Sequence, residues 1–167
     1  VALATGDTMI IGFTGTREKL TDLQLAWLYE TLEMGKRDGT IKEVHHGACL
    51  GADAAVHAAA IDNDLFIHVW PPVNMKYVAP ECLSPPFTKV TIHPRMQYLD
   101  RDRQIVGAAA GLVALPKHNE QPERMLWGGT WYTVDFAQRM NKPVIICYPN
   151  GVVEQRYPEA NTTMIQY

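Results

Sequence analysis

The sequence is short of several things, and each shortage excludes a class of protein. No apolar run approaches the roughly 18 residues of a membrane span, and no signal-peptide pattern is visible. Cysteine is scarce: Cys49, Cys82 and Cys147 make an odd count with no CxxC pair. That suits reduced thiols in a cytoplasm better than a disulfide framework. A basic excess is also missing. Fifteen Lys and Arg against eighteen Asp and Glu leave a net charge of −3 and a pI near 6.1. A protein living on duplex DNA usually carries the opposite balance, so nucleic acid is not the expected partner and any bound anion must be gripped locally. No internal repeat and no low-complexity segment breaks the chain.

What is present describes an ordinary globule. The 167 residues, 47% apolar and 20% charged, fit a single domain spanning 1–167 with its core at about 9–150. The opening VALATGDT carries little hydrophobic signal, and Met9 begins the first apolar run. MIIGFTG (9–15) is a strand with a glycine-rich exit. Thr21 opens a helix with capping-box spacing to Gln24, and Leu25, Leu28 and Leu32 recur at helical spacing until Gly35 and Gly39 end it. Further strands are expected at 42–47, 65–70, 87–93, 111–116 and 143–149, and helices at 52–63, 98–110 and 127–140. Five of the eleven prolines fall in 71–86, so that stretch is an irregular connection. Strands alternating with helices specify an α/β, three-layer, Rossmann-like domain with a mainly parallel central sheet. Right-handed crossovers then gather the strand-to-helix loops at one edge, beyond the strands' C-terminal ends.

Those loops carry the chemistry. GFTGTR (12–17), HHGACLGAD (45–53) and WGGTWYT (127–133) each join glycines to a following helix, whose free N–H groups and partial positive charge favour phosphate. EVHHGACLGADAAVH (43–57) also raises the question of a metal. His45 and His46 are strand neighbours and point to opposite faces, so they cannot share one ion, and zinc wants three or four converging ligands. No metal and no resident cofactor are expected. HPRMQYLDRDR (93–103) brings Arg95, Arg101 and Arg103 towards the same edge; their forks suit phosphate, while Asp100 and Asp102 offer them a solvated pairing instead. Trp70, Tyr98, Trp127 and Trp131 are candidates for stacking on a base, core packing being the alternative.

Taken together, the GFTGTR strand exit, the GxxxGADxxxH turn and helix, the R-D-R of a later helix and the GGTxxT opening the last one resemble the SLOG superfamily. That group includes DNA-processing protein A (DprA) and the LOG-type phosphoribohydrolases, often labelled lysine-decarboxylase-like. Gly47, Gly51, Asp53 and His57 resemble the DprA-branch turn, Arg101-Asp102-Arg103 its R-N-R, and Gly129, Thr130, Thr133 and Ala137 its SGTxxTAxxA. The resemblance implies a Rossmann-like fold that binds nucleotides or their derivatives at this edge, members that form homo-oligomers, and some that recognise NAD-derived or ADP-ribose-like signals in bacterial and phage immunity. One departure stands out. LOG-type hydrolases use PGGxGTxxE, whose glutamate helps cleave an N-glycosidic bond, and Thr133 stands where that glutamate would sit.

Three readings follow. The first is a protein that binds a phosphorylated nucleotide derivative as a sensor or sequestering protein, with a small-molecule partner. Its candidate ligand-binding residues are Thr14, Gly15, Thr16, Arg17, Gly47, Ala48, Gly51, Ala52, Asp53, Arg95, Tyr98, Arg101, Gly128, Gly129, Thr130, Trp131 and Thr133. The second is a nucleotide N-glycosidase or base transferase, in which Asp53 is the catalytic acid. The third is a DprA-like binder of single-stranded DNA. Residues 71–86 and 117–126 leave strands at the ligand edge and are positioned as covers, with Lys117 and Arg124 placed to close over phosphate.

Overall fold

The structure is a computed structural model that describes residues 8–84 and 88–158. Within these, seven strands form one sheet: β1 (Met9–Gly15), β2 (Ile41–His46), β3 (Phe66–Val69), β4 (Val90–Ile92), β5 (Gly111–Leu115), β6 (Val144–Cys147) and β7 (Val153–Arg156). Their order across the sheet is β4-β3-β2-β1-β5-β6-β7. Every neighbouring pair is parallel except β6–β7. Helices α1 (Asp22–Arg37) and α2 (Ala52–Asp62) cover one face, α3 (Tyr98–Ala108) and α4 (Gly129–Arg139) the other. This is the three-layer, mainly parallel α/β architecture that the alternation of elements specifies.

The two sheet faces have separate cores. Phe13, Leu28, Leu32, Val44 and Val56 pack under α1 and α2, while Val106, Leu112, Trp131 and Val134 pack under α3 and α4. Helix α1 starts at the expected place. Thr21 accepts from Gln24 N–H at 3.2 Å, and the Gln24 side chain accepts from Thr21 N–H at 3.2 Å. Gln24 is also buried, and its amide donates to the Pro116 and Cys147 carbonyls at 2.9 and 3.0 Å. The cap therefore ties α1 to the ends of β5 and β6.

Two expectations change. Gly35 does not end α1; the helix runs through it to Arg37, because a Cβ at Gly35 would overlap the Ile41 side chain and only glycine lets the helix sit that close to β2. The stop is at Gly39, whose φ of +70° is left-handed. Strand β7 has no counterpart in the sequence reading. Its inward positions are Glu154 and Arg156, which pair at 2.8 Å, so its polarity pattern is the reverse of a core-facing strand. The 71–86 connection contains two short 3₁₀ turns, Met75–Tyr77 and Pro80–Cys82. Its Pro85 and Pro86, and Phe87 of the expected 87–93 strand, lie outside the described residues, as do residues 1–7 and 159–167.

Candidate functional site

The strand order reverses at β1. From there the chain crosses to α1 on one face, whereas from the adjacent β5 it crosses to α4 on the other. Such a divergence opens a crevice beyond the strand ends, where open parallel sheets bind ligands. A cleft of about 710 Å³ lies there. All three glycine-bearing loops reach it, through residues 14–18, through Gly47, Cys49 and Asp53, and through residues 127–132. Helix α3 adds Tyr98, Leu99, Arg101 and Asp102, and the exit of β5 adds residues 116–118.

Among the candidates, Thr14, Gly15, Thr16, Arg17, Gly47, Asp53, Tyr98, Arg101, Gly128, Gly129, Thr130 and Trp131 line this cleft. Ala48, Gly51, Ala52, Arg95 and Thr133 stand outside its wall. Ala48 is buried and gives its N–H to His46. Gly51 has a φ of +81°, and a Cβ there would overlap the Thr16 and Glu18 carbonyls. Ala52 N–H donates to the Thr16 carbonyl at 2.9 Å. The start of α2 is therefore docked on the β1 exit, and that N–H is already used. Arg95 is exposed and away from the cleft, and Arg103 faces solvent near Asp100 at 3.9 Å. Thr133 is buried behind the wall, donating to the Gly129 carbonyl at 2.7 Å.

The cleft floor is charged and buried. Asp53, Arg101 and Asp102 keep only 7%, 7% and 9% of their surface exposed. Arg101 Nη1 donates to the Gly47 carbonyl at 2.5 Å, and a Cβ at residue 47 would overlap this guanidinium, so glycine is required for the contact. Arg101 Nε lies 2.8 Å from Asp102 Oδ1, but its N–H is not aimed at that oxygen: the contact is ionic and the Nε–H has no acceptor among the described residues. Asp53 Oδ2 accepts from Cys49 N–H at 3.1 Å. Burial pushes the Asp53 carboxyl up to about 6, against the pull of Arg101 and the Cys49 N–H. It also raises Asp102, again against Arg101. Burial pulls Arg101 down, yet Asp102 and Asp53 together outweigh it and the net shift is upward.

Asp102 is the residue sequence reasoning passed over by assigning it to a solvated pair. The signal was available: Arg101 and Asp102 lie one helical turn before Ile105 and Val106, and all four are buried on one stripe of α3.

The rim is different. Arg17 is exposed on the cleft wall, its guanidinium 4.2 Å from the Tyr77 ring centroid and 5.2 Å from that of Tyr98. These cation–π contacts hold the guanidinium at the cleft, and Arg17 forms no ion pair among the described residues. Lys117 instead pairs with Glu18 at 2.8 Å, and Arg124 sits 4.9 Å over Trp127. Helix α4 begins at Gly128 without a side-chain cap, and the space where side chains of Gly128 and Gly129 would stand is open. Helix α3 also starts at the cleft uncapped, but its first turn carries Asp100, which disfavours an anion.

The histidines of the 43–57 stretch form two networks outside the cleft. On one face, Ala48 N–H donates to His46 Nδ1 at 3.0 Å, so the His46 proton is on Nε2, which meets His57 Nδ1 at 2.9 Å. On the other, Trp70 Nε1–H donates to His45 Nδ1 at 3.0 Å, and His45 Nε2 reaches Glu43 at 2.5 Å. His68 joins the same Glu43 oxygen at 3.1 Å, and Trp70 stacks on His93 at 3.5 Å. His46, His57 and Cys82, and likewise Glu43, His45 and His68, bring ligand-type atoms within 4.8 Å of one another. A metal on Nε2 needs the proton on Nδ1. In both groups an N–H aimed at Nδ1 fixes the opposite tautomer, which makes them satisfied polar networks. Trp70 belongs to this network and does not line the cleft.

No protein-family model matches the chain, and no curated protein matches it in sequence. Its likeness to solved structures is in the backbone. The molybdenum cofactor binding protein of Rippkaea orientalis superposes with a TM-score of 0.61 at 19% identity, over 86% of this chain and 78% of that one. The Moco carrier protein of Chlamydomonas reinhardtii gives 0.55 at 20%, over 84% and 76%. DNA processing protein A of Helicobacter pylori, described with a single-stranded DNA binding mode, gives 0.56 at 14%, over 83% of this chain and 64% of its own length. The fold is the one these proteins share. It is the Rossmann-like fold that the motif resemblance implied, and among the described residues no helix is long and apolar enough to cross a membrane.

Proposed function

We propose that the chain binds a phosphorylated nucleotide derivative in this cleft and holds it intact, as a sensor or sequestering protein. The similar structures divide between cofactor binding and DNA binding, so the fold does not choose the ligand; the cleft's chemistry must. One observation carries the reading. The uncapped start of α4, bare of side chains at Gly128 and Gly129, opens into the same cleft as the exposed fork of Arg17. Backbone N–H groups, helix dipole and guanidinium thus border one cleft, and each favours an anion there. The Asp53 and Asp102 carboxyls at the floor suit sugar hydroxyls, and Trp127 with Tyr132, ring centroids 5.6 Å apart at the mouth, suits a flat base. An ADP-ribose-like signal and a nucleoside phosphate both answer this description.

The test is incubation with ADP-ribose, cyclic ADP-ribose isomers and nucleoside monophosphates, with calorimetry for binding and chromatography for products. Saturable binding with the ligand recovered unchanged is expected. Free base released at catalytic rates would overturn the reading in favour of N-glycosidic cleavage. A specific observation gives that alternative its acid: where the resemblance puts threonine in place of glutamate, the Thr133 hydroxyl borders the Asp102 carboxylate. Helix α3 thus brings a carboxylate close to the position that α4 leaves uncharged. Under that outcome Asp102→Asn should abolish turnover while retaining ligand.

A further inference from the structure

We propose that the cleft takes up its anionic ligand together with one proton and that Asp53 receives it; this rests on the phosphate-binding reading above. Charge accounting around the floor motivates it. Two buried carboxylates, Asp53 and Asp102, face one buried guanidinium, Arg101, so the floor carries one surplus negative charge. Arg101 cannot turn to a ligand without cost, because it is held by the Gly47 carbonyl and lies against Asp102. Of the exposed cations that line the cleft wall among the described residues, Lys117 is already paired with Glu18, which leaves Arg17. Over the whole cleft wall the formal charges of Arg17, Glu18, Asp53, Arg101, Asp102 and Lys117 cancel. A pyrophosphate entering this balanced set adds two negative charges against one uncommitted cation.

The least costly relief is to neutralise Asp53. Asp102 touches Arg101 and keeps its charge for that reason, whereas Asp53 accepts from the Cys49 N–H and forms no ion pair among the described residues. The titratable or charged groups that bear on Asp53 are Arg101 and Asp102 from α3, the Cys49 thiol beside it, and Cys82 from the second 3₁₀ turn. Burial raises both thiols, so neither competes for the proton near neutral pH. Burial in the cleft floor already holds Asp53 at about 6. A neighbouring anion disfavours the charged carboxylate and raises it further, towards and past neutral pH. A protonated Asp53 remains useful to the ligand: it can donate one hydrogen bond and still accept another.

The experiment is titration calorimetry of the full chain with ADP-ribose. Its internal pyrophosphate lacks the terminal-phosphate ionisation near 6 that would blur the result. Measurement at pH 7.5 in two buffers of different ionisation enthalpy reads proton uptake directly on the unmodified protein. Uptake of about 0.5 to 1 proton is expected, with Kd rising up to about tenfold per pH unit between pH 6.5 and 8. In Asp53→Asn both the uptake and the slope should disappear. Binding without uptake overturns the inference and leaves the phosphate-binding reading standing. Uptake that persists in Asp53→Asn removes Asp53 as the acceptor. No binding at any pH removes the reading and the inference together.

Discussion

Replacing Asp53 by Asn should stabilise the ligand-free protein at pH 7.5, although the substitution falls in the middle of the candidate site. The folded-state carboxyl sits at about 6, against an ordinary value of 3.8. A raised carboxyl contributes stability that is fully present below the unfolded value and is lost as pH rises through the folded one. At pH 7.5 the wild type has therefore given up about two pH units of differential proton binding, at 1.36 kcal/mol each, or about 3 kcal/mol. Asparagine is isosteric, is always neutral, and keeps an oxygen for the Cys49 N–H. It also leaves Arg101 and Asp102 as a balanced pair. Relaxation around the charge reduces this, so a gain of about 1 to 3 kcal/mol is expected. For a chain of this size that is a rise of about 2 to 12 °C in Tm. Melts at pH 7.5 and pH 5 supply the test. The gap should shrink at pH 5, where the wild-type carboxyl is protonated and resembles the amide. A variant that melts lower than wild type at pH 7.5, or a gap that widens on acidification, would refute the charge assignment at the cleft floor.

Other substitutions probe the same construction. Arg101→Met removes the counter-charge of two buried carboxylates and the donor to the Gly47 carbonyl, and should cost about 3 to 5 kcal/mol in denaturant unfolding at pH 7.5. Gly15→Ala would put a Cβ 2.5 Å from that of Ala52 and 2.6 Å from the Leu115 carbonyl. The strain should cost about 1 to 3 kcal/mol, read as a lower Tm at every pH. His45, His46, His57 and His93 are all held below 6.5, chiefly by burial. Their contribution is present above the unfolded value and lost as pH falls below it, so in Asp53→Asn, where one of the two opposing raised carboxyls is gone and Asp102 remains, Tm should fall more from pH 7 to pH 5 than it does in the wild type.

Much of the fold was legible because local and long-range signals agree. The Thr21–Gln24 cap, the leucine spacing of α1 and the buried run at 143–149 each name one element type, and alternation then fixes a parallel sheet with its loops on one edge. The misses occur where tertiary contact overrides a local rule. Gly35 reads as a helix stop, but the close approach of Ile41 makes it an interior contact. Strand β7 has no local signature in its polar sequence because its ladder with β6 and the Glu154–Arg156 pair stand in for an apolar face.

The site divides in the same way. Glycine loops point to the cleft because architecture alone delivers them to the switch point between β1 and β5. Which of their N–H groups remain free is a matter of packing: Ala52 spends its own on Thr16, whereas the start of α4 is uncapped and open. Charge is harder still to read. R-D-R looks like solvated alternation until helical spacing to Ile105 and Val106 shows two of its members facing inward, and only the assembled floor reveals two carboxylates sharing one guanidinium. A fully paired set of charges would have marked a structural ion pair. The surplus makes the floor poorly stabilised when empty and responsive to what enters, which is a property expected of a binding site and costly to retain anywhere else.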